Sequence, residues 1–311
     1  MKLASFTRGG HKSIGVVEPA DGQILDLGKA SEIVSGQRHP AFANMLALID
    51  FAGPGLEAAR KLAAQWPAAA SVPLDTVRLL APLPEPRQMR DCLTFELHLR
   101  NAIAQSEKRT GVKRPFPEVW YKQPIYYKSN RFSVAGPETD VVWPAYSNWM
   151  DYELELACVI GKTGKDIWPD NAMGHIFGFT IFNDFSARDA QMAEMAGQLG
   201  PAKGKDFDNG NVLGPWIVTL DEIGDPHALD MEARINGERW GGGNSRDMYH
   251  KWPAILAHIS QDETLYAGEV IGSGTVGTGC GLELGRQLQD GDVVELEIEK
   301  IGVLRNKVVR R

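Results

Sequence analysis

Apolar and polar positions alternate with a period of two along much of the second half of the chain. The runs "DYELELACVI", "FGFTIFND", "PWIVTL", "MEARING" and "VVELEIEKIGVL" therefore read as strands. Helical spacing interrupts them near Glu96 to Lys108, Ser186 to Met195 and Met248 to Ser260. In the first 80 residues "KLASF", "SIGVVE" and "QILDL" read as short strands, with turn residues "PADGQ" between the last two. Two helical patterns follow, Ala41 to Asp50 and Leu56 to Trp66, separated by the Gly/Pro-rich "AGPG". The segment "APLPEPRQ", Ala81 to Gln88, carries three prolines, which impose an extended connection. It predicts a boundary between a small N-terminal α/β domain, 1–80, and a larger β-rich domain, 81–311. There is no repeat and no regular βαβα alternation, so the pattern argues against a parallel doubly wound sheet. It predicts an α+β chain: a β-rich barrel, roll or sandwich with added helices.

Composition narrows the partners. The chain has 311 residues, 43% hydrophobic and 23% charged, enough for a sizeable core. A net charge of −7 argues against nucleic acid. Cys92, Cys158 and Cys280 stand far apart, as in a reducing compartment, with no disulfide framework or zinc ribbon. The stretch "MKLASFTRGGHKSIG" lacks the apolar core of a signal peptide. No stretch approaches the ~18 apolar residues of a membrane span. The expectation is a cytoplasmic protein with no membrane partner.

Several motifs fail on context. "GSGTVG", Gly272 to Gly277, matches a dinucleotide fingerprint, but the following "TGCGLELG" is too glycine-rich to open the required helix. The expectation is a tight loop, able to wall a site where backbone approaches a ligand. "GGG" at Gly241 to Gly243 reads as a flexible loop. There is no G-x-S-x-G elbow and no H-E-x-x-H helix, so any hydrolysis would use activated water.

Two acidic strands remain, "DYELELA" at Asp151 to Ala157 and "VVELEIE" at Val293 to Glu299. Residues i and i+2 of a strand share a face about 6.6 Å apart. Asp151, Glu153 and Glu155 thus share one face, opposite Tyr152, Leu154 and Leu156. Such a face is either solvated or a set of oxygen ligands for a hard cation at about 2.0–2.6 Å. Only the first has companions. Asp184 ends the apolar run "IFND", and Arg188 and Gln191 follow at helical spacing. Asp91 and His98, seven apart in "RDCLTFELHLRNA", would share a face if that segment were one helix. "VVELEIE" has no such set and reads as a half-buried strand.

At this point "DYELELACVIG", "IFNDFSARDAQ", "GPAKGKDF" and "GSGTVGTGCGLELG", in that order behind Asp91 and His98, resemble the fumarylacetoacetate hydrolase family. The resemblance runs from about Asp91 to the C-terminus. It implies a mixed β-roll, a homodimer and one divalent metal per site, Mg²⁺, Mn²⁺ or Ca²⁺. It implies that Asp91, Glu153, Glu155 and Asp184 bind the metal. His98 would be the general base and Glu283 would orient it. Arg188, Gln191 and Lys205 would surround the reacting carbonyl, and Thr275 with Gly274 would contact the substrate. The longer "DFDNGNVLGPW" after Lys205 and Leu93 in place of a tyrosine point away from fumarylacetoacetate, toward other oxo-acids. The expected activity is hydrolysis of a C–C bond in a 1,3-dioxo acid by His98-activated water. Decarboxylation, isomerisation, hydration or lyase chemistry on a chelated 2-oxo or 2-hydroxy acid uses the same ligands.

Overall fold

A computed structural model covers residues 1–311. Two mixed sheets, a two-stranded ribbon of Met150–Asp151 and Ser186–Ala187, and their helices make up the fold. Along the main path of the twelve-stranded sheet, the strands run Ser71–Pro73, Gln23–Asp26, His11–Glu18, Lys2–Arg8, Asn211–Thr219, Ile176–Asp184, Leu154–Ile160, Val270–Gly272, Met89–Cys92 and Tyr126–Ser129. A five-stranded sheet is ordered Glu238–Asn244, Asp230–Ile235, Val293–Ile298, Gly302–Val309 and Asp140–Val142. Most pairings are antiparallel, which accounts for the missing βαβα alternation.

The central strands are buried on both faces. Every residue of Leu154–Ile160, Ile176–Asp184 and Asn211–Thr219 is buried. Their apolar continuity follows from that, since neither face meets water. One core joins the two sheets, with Leu156, Ile181 and Val212 packed among Val294, Leu296 and Leu304. Trp216 Nε1 donates to Ile301 O at 2.7 Å and ties the sheets together at one edge of this core.

Several local expectations need correction. "AGPG" lies inside the helix Ala52–Gln65, where Pro54 occupies the first turn and its missing N–H costs nothing. The helix expected from Ala41 splits into a turn, Pro40–Phe42, and a helix, Met45–Asp50, capped by Asn44. "VVELEIEKIGVL" is a hairpin of Val293–Ile298 and Gly302–Val309, reversing at Lys300 with φ +65°. The "GGG" segment belongs to the strand Glu238–Asn244; a Cβ at Gly241 would lie 2.0 Å from Thr278 O, so glycine permits the contact. A short helix, Gly281–Leu284, forms within "TGCGLELG" despite its glycines.

The first 80 residues do not form a sheet of their own. Lys2 and Leu3 pair with Val218 and Ile217. Leu3, Ile14 and Leu25 share a core with Phe177, Phe182, Ile217 and Val270. The sheet is continuous across the proline-rich connection. A fragment of residues 81–311 would expose that core and a strand edge. It is expected to aggregate or bind a hydrophobic dye, as size-exclusion chromatography and dye fluorescence would show; a monodisperse, dye-silent fragment would contradict the shared core.

Candidate active site

Three neighbouring strands converge on one point. Asp91 lies on Met89–Cys92, Glu155 on Leu154–Ile160, and Asp184 ends Ile176–Asp184. The strand between the first two contributes Gly272, paired with both Asp91 and Ala157. A Cβ at Gly272 would sit 2.6 Å from Asp91 Oδ1 and 2.7 Å from Glu155 Oε2. Only glycine leaves room for the carboxylates to meet. One oxygen from each of Asp91, Glu155 and Asp184 lies within 4.8 Å of the others.

Glu153, expected beside them, is oriented differently. Its Oε1 accepts from Arg188 Nη1 at 2.7 Å, and Lys205 Nζ donates to its Oε2. Lys205 also donates to Asp184 Oδ2 at 2.7 Å, and Tyr127 OH donates to the same oxygen at 2.6 Å. Lys205, expected near a carbonyl, is thus a buried counter-ion in the short helix Ala202–Lys205. Arg188 Nη1 also donates to Gln191 Oε1 at 3.0 Å. Asp184 is not on their helix, which starts at Arg188; the preceding Ser186–Ala187 is a strand. Gly274 N and, at 3.4 Å, Thr275 Oγ1 donate to Glu155 rather than facing open space. Gly274 has φ +81°, and a Cβ there would meet Cys92 O at 2.5 Å.

Four buried carboxylates here face two cations. Burial and then the charge of Asp184 push the Asp91 carboxyl up to about 8, against partial relief from Glu155 and Lys205. Burial and then Asp91 hold Glu155 well above the usual range. Burial also raises Asp184, although Lys205 opposes it. Glu153 goes the other way: Arg188, Lys205 and His98 outweigh its burial and hold it below the usual carboxylate range. Buried Oδ1 atoms of Asp91 and Asp184 have no hydrogen-bond partner. An all-oxygen set with excess negative charge and orphaned acceptors fits a hard divalent cation.

Across the cavity stands His98, in the helix Glu96–Thr110. Asp91 and His98 do not share a helix, because the chain leaves the strand and turns before it begins; Thr94 Oγ1 anchors that turn on Ser273 O at 2.6 Å. His98 is the one buried residue of its helix. Its Nδ1 lies 2.8 Å from Glu283 Oε1. Glu283 Oε2 accepts from Thr278 N at 2.8 Å and Asn101 Nδ2 at 2.9 Å, and Gln105 donates to Glu283 O. Burial alone would raise the Glu283 carboxyl, but the bonds from His98, Thr278 and Asn101 keep it below the usual range. A carboxylate there assigns the proton to Nδ1 and leaves Nε2 as the acceptor.

Asp91, His98, Glu153, Glu155, Arg188, Gln191, Lys205 and Thr275 line a single cavity of about 390 Å³, walled on another side by Leu99, Ile103, Ile125, Met192 and Leu282. Asp184 and Glu283 stand behind that lining. Sequence reasoning missed Tyr127 and Asn101. Asn101 follows His98 by three residues, a spacing that marks the same helical face. Nothing in the pattern distinguishes Tyr127 from Tyr126. "VVELEIE" is half-buried, with Glu295 paired to Arg234 and Arg305, Glu297 to Arg234, and Glu299 accepting from Asp230 N.

The fumarylacetoacetate (FAA) hydrolase C-terminal profile matches residues 93–309. The chain belongs to the fumarylacetoacetate hydrolase family. It is 40% identical over 253 residues to the mitochondrial oxaloacetate tautomerase FAHD2A of Homo sapiens, covering 81% of this chain and 75% of that protein. A fumarylacetoacetate hydrolase from psychrophilic Exiguobacterium antarcticum superposes with a TM-score of 0.76 at 31% identity, covering all of both chains. Maleylpyruvate hydrolase from Sphingobium sp. SYK-6, in complex with manganese(II) and pyruvate, superposes at 0.75 with 26% identity, covering 100% of this chain and 99% of that one. Relatives of the chain thus include a tautomerase and hydrolases. No helix of this chain is long and apolar enough to cross a membrane.

If the carboxylate cluster holds a divalent ion, Mn²⁺ or Mg²⁺ at a hundred times its dissociation constant should stabilise the fold by about 2.7 kcal/mol. Urea unfolding with and without the ion measures this. Glu155→Gln should abolish the increment while leaving the ion-free protein folded, because it removes one of the crowded charges.

Proposed function

We propose that the chain is a divalent-metal-dependent enzyme of 2-oxo acids in which His98 moves a proton at the carbon beside the 2-oxo group. One observation carries this reading: an oriented imidazole and a carboxylate cluster suited to a cation line the same cavity. A metal bound by Asp91, Glu155 and Asp184 would supply Lewis acidity at the 2-oxo oxygen. The protein's own contribution is the rest. Glu283 fixes the His98 tautomer, and His98 Nε2 takes a proton from C3 and passes it to the 2-oxo oxygen to give the enol, the reverse transfer restoring the keto form. Lys205 and Arg188 offset the site's negative charge. Leu99, Ile103 and Leu282, in the same cavity lining, limit water near the base. The likeness to an oxaloacetate tautomerase over four-fifths of the chain supports oxaloacetate as the first substrate to test.

Hydrolysis of a C–C bond in an acylpyruvate is the second reading. The same His98 Nε2 would take its proton from water, which would attack the distal carbonyl. The manganese- and pyruvate-bound maleylpyruvate hydrolase favours it, as does a cavity with an apolar side beyond the carboxylates. A homodimer belongs to the same proposal, and sedimentation equilibrium tests it.

Two assays separate the readings. Spectroscopic decay of enol-oxaloacetate reads tautomerisation, and pyruvate release from an acylpyruvate reads hydrolysis. His98→Ala should lower kcat by roughly 100-fold or more in whichever assay is active, the range for a lost general base. Chelation should abolish turnover and added Mg²⁺ or Mn²⁺ restore it. Near-normal turnover by His98→Ala would refute the base assignment.

A further inference from the structure

Asp151 stands outside both the carboxylate cluster and the imidazole pair, yet it links them. It lies on the two-residue strand Met150–Asp151, paired with Ser186–Ala187, and has no exposed surface. Oδ1 accepts from Gly281 N at 2.8 Å and Tyr152 N at 3.0 Å. Oδ2 accepts from Leu282 N at 2.9 Å and Arg188 Nε at 2.9 Å; Arg188 Nη2 lies 2.8 Å away as an ion-pair contact without hydrogen-bond geometry. Gly281 and Leu282 begin the short helix whose third residue is Glu283. The opposite edge of Arg188 holds Glu153. One carboxylate therefore fixes the turn that presents Glu283 and the guanidinium that neutralises Glu153.

The fit is close. A Cβ at Gly281 would lie 2.6 Å from Asp151 Oδ1. All the neighbours named are donors, so only an acceptor on both oxygens satisfies them. An asparagine would turn its NH₂ toward either the backbone amides or the guanidinium, donor against donor.

We propose that Asp151 is a positioning residue for the His98–Glu283 pair. It holds the Gly281–Leu284 turn against Arg188, so that Glu283 meets His98 at Nδ1. The inference rests on the reading of His98 as the proton-moving group, and Asp151 itself touches no reacting atom.

The test is Asp151→Asn in the full chain loaded with Mn²⁺ for kinetics and Mg²⁺ for NMR. Loss of an outer partner of this kind should lower kcat roughly 10–100-fold. KM should stay within about threefold, because an orienting contact acts on the chemical step. The low-field N–H resonance of His98, assigned by its absence in His98→Ala, should disappear. Calorimetric Mn²⁺ affinity should hold, since Asp91, Glu155 and Asp184 make no bond to Asp151. Retained kcat, or lost kcat with the resonance intact, would overturn the proposal. If Asp151→Asn does not fold, Gly281→Ala, which crowds the same carboxylate without changing its charge, is judged by the same criteria. If the wild-type protein turns over no 2-oxo acid, the functional reading fails, and the resonance alone decides the positioning role.

Discussion

The centre of the large sheet gathers more carboxyl groups than it has cations to pair with them. Asp91, Glu153, Glu155 and Asp184 are buried among one another, against Arg188 and Lys205 alone. Isolated buried charge is among the costliest arrangements in a protein. Much of the surrounding architecture can be read as accommodating it. Gly272 withholds a side chain so that the carboxylates converge, Gly274 and Thr275 donate to Glu155, and Lys205 is drawn out of solvent altogether. A cation completing the set would turn this cost into binding free energy. Without one, the cluster adds little to the stability of the chain.

The cations show how local context reassigns a side chain. Arg188 and Lys205 face the cavity, but their donors point at carboxylates. Their first effect on a bound 2-oxo acid would be through the field they set. Glu153 marks the division of labour. It is held ionised by two cations, while Asp91 and Glu155, without direct partners of that kind, are pushed toward protonation. Glu153, just before the strand, and Glu155, within it, thus do different work because their neighbours differ.

The chemistry was more legible in the sequence than the geometry that delivers it. The E-x-E of "DYELELA" together with Asp184 and Asp91 pointed to one site, and the strands do bring Asp91, Glu155 and Asp184 together. What failed was periodicity read without tertiary context. Asp91 and His98 suggested one helix by spacing, but a strand and a helix meet there. "DYELELA" is not one strand: Asp151 pairs with Ser186 in a small two-stranded sheet, the ladder breaks at Tyr152 and Glu153, and Leu154–Ile160 joins the large sheet with both faces buried. Gly241 to Gly243 read as flexibility, whereas the glycines serve a close strand–loop contact. Burial on two faces and backbone proximity are set by residues far away in the chain, and no local pattern encodes them.

The helix Glu96–Thr110 buries a single side chain, and that side chain is His98. Little apolar area fastens it to the sheet. Glu283 holds it through His98, Asn101 and Gln105, beside the bonds of Glu96 and Arg100 to Tyr121. The carboxylate that gives the imidazole its proton arrangement is also the latch that seats the helix. Seating and orientation therefore share one set of bonds. A movement that lifted this helix off Glu283 would part the imidazole from its orienting carboxylate in the same step. On the proposed reading of His98, the tautomer it needs would last only as long as the helix stays seated.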